Sequence, residues 1–324
     1  MLRIGIVFDK VEEYGSIPQI SSDQFAEFEP ESTILAMQEA IEFLGHKAVK
    51  IGGPFILSQT KPNVDVIWNI GEGFGTRNRE AWAPVLCELY GIPCLGSDAL
   101  SLSITLDKHL TKKITAQLGI PTAKWNVAKF STKVIPEIDF YPVLVKPRYE
   151  GTAKGITLNS IVKNVTELKL ELNRQWEMYK QDILIEKLLI GAEYTTAMLG
   201  HPLKPHNALE RGIDPVSRIG IHALEQKGML VDDYELSHSL DAKMEEQINN
   251  FSQILCDELE IKDFARLDFK CDENGIPNFL EINPLPTFAI DNTFAVLAEL
   301  ESKSYTTFLS EILESSLKRL GLTH

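Results

Sequence analysis

Two short runs near the C-terminal end of the chain carry the strongest chemical signal. Arg266-Leu267-Asp268 sets a guanidinium and a carboxylate two residues apart, and Glu281-Ile282-Asn283 repeats the spacing with a carboxylate and an amide. Residues two apart share one face of a strand, and the intervening Asp272-Glu273-Asn274-Gly275 has the composition of a hairpin turn. Paired as antiparallel strands, these runs bring two carboxylates, an amide oxygen and a guanidinium to one place. Oxygen ligands of this kind suit Mg²⁺, which takes one or two carboxylates and completes its shell with nucleotide phosphates. Arg266 would then stabilise an oxyanion developing beside the metal. The competing reading is a solvated hairpin whose charges pair for less than about 1 kcal/mol each. Leu267, Phe269, Phe279, Leu280 and Ile282 argue for a buried setting instead, where unpaired carboxylates are costly. Asp268, Glu281 and Asn283 are therefore the candidate metal ligands.

Two further segments bear on phosphate and base recognition. Lys146 ends an apolar stretch and is followed by a loop containing Glu150, Gly151, Thr152, Ala153 and Gly155. Glycines let backbone N–H groups approach phosphates, and Lys146 adds a fixed cation. Taken alone such a stretch is more often a plain β-turn, and GxxxxGK[ST] is absent. The run Leu184–Glu193 alternates apolar and charged residues as an ordinary edge strand does. Its functional reading is an adenine slot, with backbone groups of Lys187, Leu188 and Leu189 reading the base and Glu193 accepting from ribose hydroxyls.

These residues need a scaffold, and the chain supplies recognisable elements. Leu2–Phe8, Val49–Ile51 and Val64–Asn69 read as strands, with helices at Ser32–Leu44 and Ala81–Tyr90; that alternation predicts a parallel sheet covered by helices. Ser97-Asp98 caps a helix from Ala99, and Lys108–Leu118 forms another, ended by Gly119-Ile120-Pro121. From Trp125 short strands dominate: Pro142–Pro147, Ile156–Leu158, Ile183–Leu188 and a hairpin over Tyr194–Leu199 and His201–Pro205. Helices are expected at Thr166–Tyr179, Lys243–Leu259 and Tyr305–Leu320, with strands at Phe264–Cys271 and Pro277–Glu281. Ala208–Asp241 is polar and irregular.

The bulk properties are those of an ordinary globular protein. The chain has 324 residues, 44% hydrophobic and 24% charged, enough for two or three domains. A net charge of −14 argues against a general nucleic-acid binder. Cys87, Cys94, Cys256 and Cys271 form no CxxC pair, so neither zinc nor a disulfide framework is expected. MLRIGIVFDK reads as a buried strand, not a signal peptide, and no stretch approaches the roughly 20 apolar residues of a membrane span. A cytoplasmic enzyme without membrane or nucleic-acid partners is the expectation.

In chain order these segments resemble the ATP-grasp superfamily, and within it the D-alanine–D-alanine ligase family. Tyr90-Gly91-Ile92-Pro93-Cys94-Leu95-Gly96-Ser97 and Leu106-Asp107-Lys108-His109-Leu110-Thr111-Lys112-Lys113 are similar to family segments at the same places, and the resemblance runs from about Asn69 to Pro286. It implies an α/β fold of three domains, 1–102, 103–188 and 189–324. The first holds a parallel sheet, and the other two clasp ATP between antiparallel sheets. By position, Lys108, Lys146, Glu186, Lys187, Leu189 and Glu193 would bind nucleotide. Asp268, Glu281 and Asn283 would hold Mg²⁺, with Mn²⁺ as a substitute, and the Glu150–Gly155 loop would close over the phosphates. Arg266 would stabilise the tetrahedral intermediate, and Thr152 replaces a family Ser while keeping the hydroxyl. A substrate carboxylate would attack the γ-phosphate, and an amine would displace the resulting acyl phosphate. A homodimer through the first domain also suits the family.

The departures fall on the substrate side. The family's first-loop glutamate has no clear match in Phe8–Pro30, where Glu12, Glu13 or, just beyond, Glu31 would substitute. Asn69–Glu80 replaces an "HG…GEDG" segment, and its Glu72, Arg77, Arg79 and Glu80 are suited to a more polar substrate or simply to pairing and capping the next helix. No Tyr-x-x-Lys-Tyr run occurs in Leu209–Glu235, where Arg218, His222 and Lys227 are the available cations, and Asn292 stands where a Ser often holds the acceptor carboxylate. The expected activity is an ATP- and Mg²⁺-dependent carboxylate–amine ligase for small amino-acid-like substrates. Its rivals are an authentic D-alanine–D-alanine ligase and a non-catalytic ATP-binding regulator. A carboxylate kinase and a dinucleotide oxidoreductase rank lower, the latter because GxGxxG is missing.

Overall fold

The computed structural model describes residues 1–15, 23–214, 216–220, 236–238 and 240–323. The first sheet consists of β1 (Arg3–Val7), β2 (Lys47–Gly52), β3 (Val66–Asn69) and β4 (Cys94–Leu95), in the parallel order β2-β1-β3-β4. A parallel sheet is buried on both faces, and the strands' apolar runs divide between two cores. Ile4, Ile6 and Trp68 pack on α1 (Glu31–Phe43), whereas Val7 and Ile67 pack on α2 (Pro54–Gln59) and α3 (Trp82–Tyr90). The core on the α1 side is closed by α8 (Thr293–Leu300) and α9 (Tyr305–Arg319), so the end of the chain packs against its beginning.

Helices α4 (Ala99–Leu106) and α5 (Lys108–Gln117) lead away from this sheet. Asp98 caps α4 by accepting from Ser101 N, and Asp107 caps α5 by accepting from His109 N and Leu110 N. The second sheet is antiparallel: β5 (Trp125–Ala128), β6 (Val143–Pro147), β7 (Ile161–Val162) and β8 (Ile183–Lys187), in the order β5-β8-β6-β7. Val143, Val145, Ile183 and Ile185 face Leu168, Leu172 and Trp176 of α6 (Val165–Tyr179). Alternation then turns Leu144, Lys146 and Glu186 to the opposite face.

Among the described residues the third sheet has six strands, also antiparallel: β9 (Glu193–Gly200), β10 (Lys204–Pro205), β11 (Leu209–Arg211), β12 (Leu236–Ser237), β13 (Asp263–Cys271) and β14 (Pro277–Asn283). Ala265, Leu267 and Phe269 pack on α7 (Ala242–Glu258), which leaves Arg266, Asp268 and Lys270 on the other face. Two details depart from the sequence reading. The strand expected at Ile156–Leu158 is absent, because Thr157 and Ser160 form a reciprocal cap that winds Leu158–Ser160 into a 3₁₀ turn; the strand follows at Ile161–Val162. Helices α2 and α8, too short and apolar to show a helical period, went unanticipated. Among the described residues no helix is long and apolar enough to cross a membrane.

Candidate active site

The polar faces of the second and third sheets line one cavity. Strands β13 and β14 pair Arg266 with Asn283 and Asp268 with Glu281, and β9 sets Thr195 beside Asp268 and Glu193 beside Lys270. Arg266 Nη2 lies 3.0 Å from Asp268 Oδ2 and 3.8 Å from Glu281 Oε1, while Lys108 Nζ lies 3.6 Å from Glu281 Oε2. Burial works to raise the Asp268 carboxyl, but Arg266 and Arg211 outweigh it and hold the group below its ordinary value. Glu281 is likewise lowered against burial, chiefly by Lys108. Two carboxylates and an amide on adjacent strands, kept ionised by surrounding cations, make an oxygen donor set that fits a hard divalent ion. No group of three His, Cys, Asp or Glu suited to a metal occurs among the described residues, so such an ion would keep much of its shell from water or phosphate.

Across the cavity Glu186 is ion-paired with two lysines, Lys146 Nζ at 2.5 Å and Lys112 Nζ at 2.6 Å. Lys108, Lys146, Glu150, Ala153, Glu186, Lys187, Leu188, Leu189, Glu193, Asp268 and Glu281 all line this space. Apart from Gly151, which lines the neighbouring cavity, the expected nucleotide residues are thus together, with three qualifications. Lys187 turns its ammonium toward Glu273 at 3.2 Å on the surface. Glu193 is ion-paired to Lys270 at 2.9 Å. Gly155 stays behind the lining, its N–H donating to Asp23 at 3.1 Å. With φ of +78°, a Cβ there would stand 2.7 Å from Pro147, so the position demands glycine.

A second cavity adjoins the first and is lined by Thr152, Gly151, Arg266, Asn283 and four glutamates, Glu27, Glu29, Glu72 and Glu80. Glu12, Glu13 and Glu31 do not line this cavity. Glu12 is exposed, Glu13 accepts from Gly53 N, and Glu31 pairs with Lys50 on the surface. Glu27 takes the central position instead. It accepts from Gly151 N at 2.7 Å and Lys154 Nζ at 2.6 Å, and it pairs with Arg79. Burial opposes its ionisation, yet these two cations keep it well below the ordinary carboxyl range. Arg79 also donates to Tyr149 O at 3.1 Å, so Glu27 and Arg79 together tie the 150–155 loop to the part of the chain that carries the first sheet. Gly73 permits this approach: its φ is +65°, and a Cβ would stand 2.8 Å from Arg79 O.

Other expected residues lie elsewhere. Arg77 is exposed over the Tyr149 ring at 5.7 Å. Asn292 is occupied as the cap of α8, accepting from Thr293 N at 2.8 Å. Arg218 lines the first cavity with its side chain donating to Ile190 O at 2.7 Å; His222 and Lys227 fall outside the described residues. Sequence reasoning missed Glu27, Lys270 and Arg211. Lys270 continues the period-two face of Arg266 and Asp268, a signal that was available. Arg211, whose Nη2 lies 3.7 Å from Asp268 Oδ1, comes from a stretch without period, and Glu27 from a loop.

The chain is similar to known proteins in sequence and in fold. The family model described as "D-ala D-ala ligase C-terminus" matches residues 114–314, more than half of the chain. The D-alanine–D-alanine ligase A of Bacillus cereus is 32% identical over 241 residues, 71% of this chain and 74% of that protein. The crystal structure of D-alanine–D-alanine ligase from Bacillus anthracis with ATP covers 98% of both chains at a TM-score of 0.75 and 22% identity. The VanG D-Ala:D-Ser ligase from Enterococcus faecalis covers 97% of this chain and 99% of that one, with a TM-score of 0.73 and 18% identity. Those two likenesses establish that the chain has the mixed α/β fold of the D-alanine–D-alanine ligases.

Proposed function

The chain belongs to the D-alanine–D-alanine ligase family of ATP-grasp enzymes, and on that premise we propose that it joins two small amino-acid-like substrates through an acyl phosphate. It is an ATP-using ligase that forms C–N bonds; the substrates, the metal and the residue roles are our reading. The observation that carries it is the junction of the two cavities, with lysines and carboxylates on the nucleotide side and Arg266 with four glutamates on the other.

Lys146 and Lys108 neutralise phosphate charge, and the backbone of Lys187, Leu188 and Leu189 faces the base. Glu150, Gly151, Thr152, Ala153 and Gly155 form the loop over the phosphates, its closure supported by the Glu27 contacts. Asp268, Glu281 and Asn283 hold Mg²⁺, which when bound screens the charge between nucleotide and carboxylate. Arg266 stabilises the oxyanion of the tetrahedral intermediate, and Thr152 offers a hydroxyl to the same cavity. The glutamate lining suits the ammonium groups of amino acids. We also propose the division 1–102, 103–188 and 189–324, supported by one sheet lying within each segment, a homodimer through the first segment, and a cytoplasmic location.

The names of the D-alanine–D-alanine ligases among the relatives favour D-alanine at both positions, whereas the polar Glu72 and Glu80 in the cavity lining favour another acceptor. The deciding experiment measures phosphate release from ATP and Mg²⁺ across single and paired D- and L-amino acids, with mass spectrometry of the products. Release confined to certain pairs, with a dehydrated conjugate, supports the reading and names the substrates. D-alanine sufficing alone would make the cell-wall ligase the correct version. Bound ATP without turnover on any pair would favour a regulator.

A further inference from the structure

Lys270 lines the nucleotide cavity and is buried, yet the ligase reading gives it no part. Alternation puts it on the cavity face of β13 with Arg266 and Asp268, and the register sets it directly across from Glu193, the first residue of β9. Its ammonium makes two short contacts. Nζ donates to Glu193 Oε2 at 2.9 Å and to Arg218 O at 2.6 Å. Both side chains of the ion pair are only 7% exposed, so water and salt screen it little.

The Arg218 carbonyl belongs to a tight turn. A bridge joins Ile213 to Gly220, Asp214 N donates to Ile219 O at 2.8 Å, and Arg218 N donates to Asp214 O at 2.9 Å. The next residue, Ile219, is buried and packs with Ala153 and Ile156 at the phosphate loop. Ile219 and Gly220 line the cavity together with Glu193 and Lys270. One ammonium therefore fastens both a carboxylate and a piece of wall. An ionised carboxylate accepts hydrogen bonds and donates none, which is what reading a pair of hydroxyls requires. Keeping it charged in a buried place calls for a paired cation, and two N–H groups on one nitrogen also fix its orientation against the turn.

We propose that Lys270 is the positioning residue for ribose recognition, and that through Glu193 it makes the cavity selective for ribonucleoside over 2′-deoxyribonucleoside triphosphates. This rests on the ligase reading above and, within it, on Glu193 as the acceptor for ribose hydroxyls. Lys270 acts through the Glu193 carboxylate and the Arg218 carbonyl rather than by touching the nucleotide. A purely structural ion pair, once cut, would weaken every nucleotide alike. An oriented acceptor is felt only through the hydroxyl that donates to it.

The test is calorimetric titration of the full chain with ATP and with 2′-deoxyATP, each with Mg²⁺, which needs no amino-acid substrate. The unmodified protein should favour ATP roughly 10–10²-fold, the worth of a hydrogen bond to a charged group. Lys270→Met should bring that ratio to within about threefold of unity. In a Glu193→Gln background, where the ratio is already small, Lys270→Met should change it by less than about twofold, because the two residues act as a unit. Removing one member of a buried pair is costly, so Lys270→Gln, which keeps a donor without the charge, takes the same comparison where the methionine variant does not fold. A ratio unchanged in the Lys270 variants, with both nucleotides weakened alike, would overturn the assignment and leave a structural pair. Equal affinity of the unmodified protein for the two nucleotides would instead defeat Glu193 as the ribose acceptor, and the assignment with it. Failure of the unmodified protein to bind either nucleotide would defeat the ATP site itself.

Discussion

Glu186→Gln probes the anchor of the nucleotide cavity. Glu186 is buried between Lys112 at 2.6 Å and Lys146 at 2.5 Å. Burial acts to raise its pKa, but the two lysines prevail and hold the carboxyl at about 2, against an ordinary 4.5. At about 1.4 kcal/mol for each tenfold of proton affinity, that difference is worth roughly 3 kcal/mol of folding free energy. Removing one member of a buried ion pair costs on the order of 3–5 kcal/mol by mutation, so the two figures agree. Glutamine would leave two buried ammonium groups facing a neutral amide. The folded pKa is depressed, so this stability is complete above the unfolded value of 4.5 and drains as pH falls toward about 2. Urea unfolding of both proteins from about pH 7 to about pH 3 measures it. The variant should be about 3 kcal/mol weaker at neutral pH, with the gap constant down to about pH 5 and narrowing below. A variant within about 0.5 kcal/mol at neutral pH, or a gap undiminished at acid pH, would refute the reasoning.

Three further outcomes follow from the same geometry. Glu281→Ala should abolish turnover by removing a metal ligand, and near-normal ligation at saturating Mg²⁺ would rule out the proposed site. Lys146→Met should raise the KM for ATP sharply; unchanged nucleotide affinity by calorimetry would contradict its contact with phosphate. Arg79→Met leaves Lys154 as the one cation paired with Glu27 among the described residues, so we expect about 3–5 kcal/mol of destabilisation and a higher KM for ATP as the 150–155 loop loosens. Unfolding and steady-state kinetics check both, and a normal KM in a destabilised variant would restrict Arg79 to a structural part.

Much of the nucleotide half of the site was legible in the residues. Alternation set Arg266 and Asp268 on one strand face and Glu281 and Asn283 on its neighbour, because side-chain direction in a strand depends only on position along it. The turn after Cys271 made the strands partners, as the observed register bears out. Asp98 announced its helix because a cap is satisfied within three residues. The substrate half was decided by tertiary structure. Glu27 reaches Gly151 across 124 positions in the chain, and Arg211 reaches Asp268 from another strand. Glu12, Glu13 and Glu31 were equivalent to Glu27 by residue type; burial between Arg79 and Lys154 distinguishes it. Local periodicity and capping are short-range physics written in residue order, whereas charge compensation depends on which groups folding buries together.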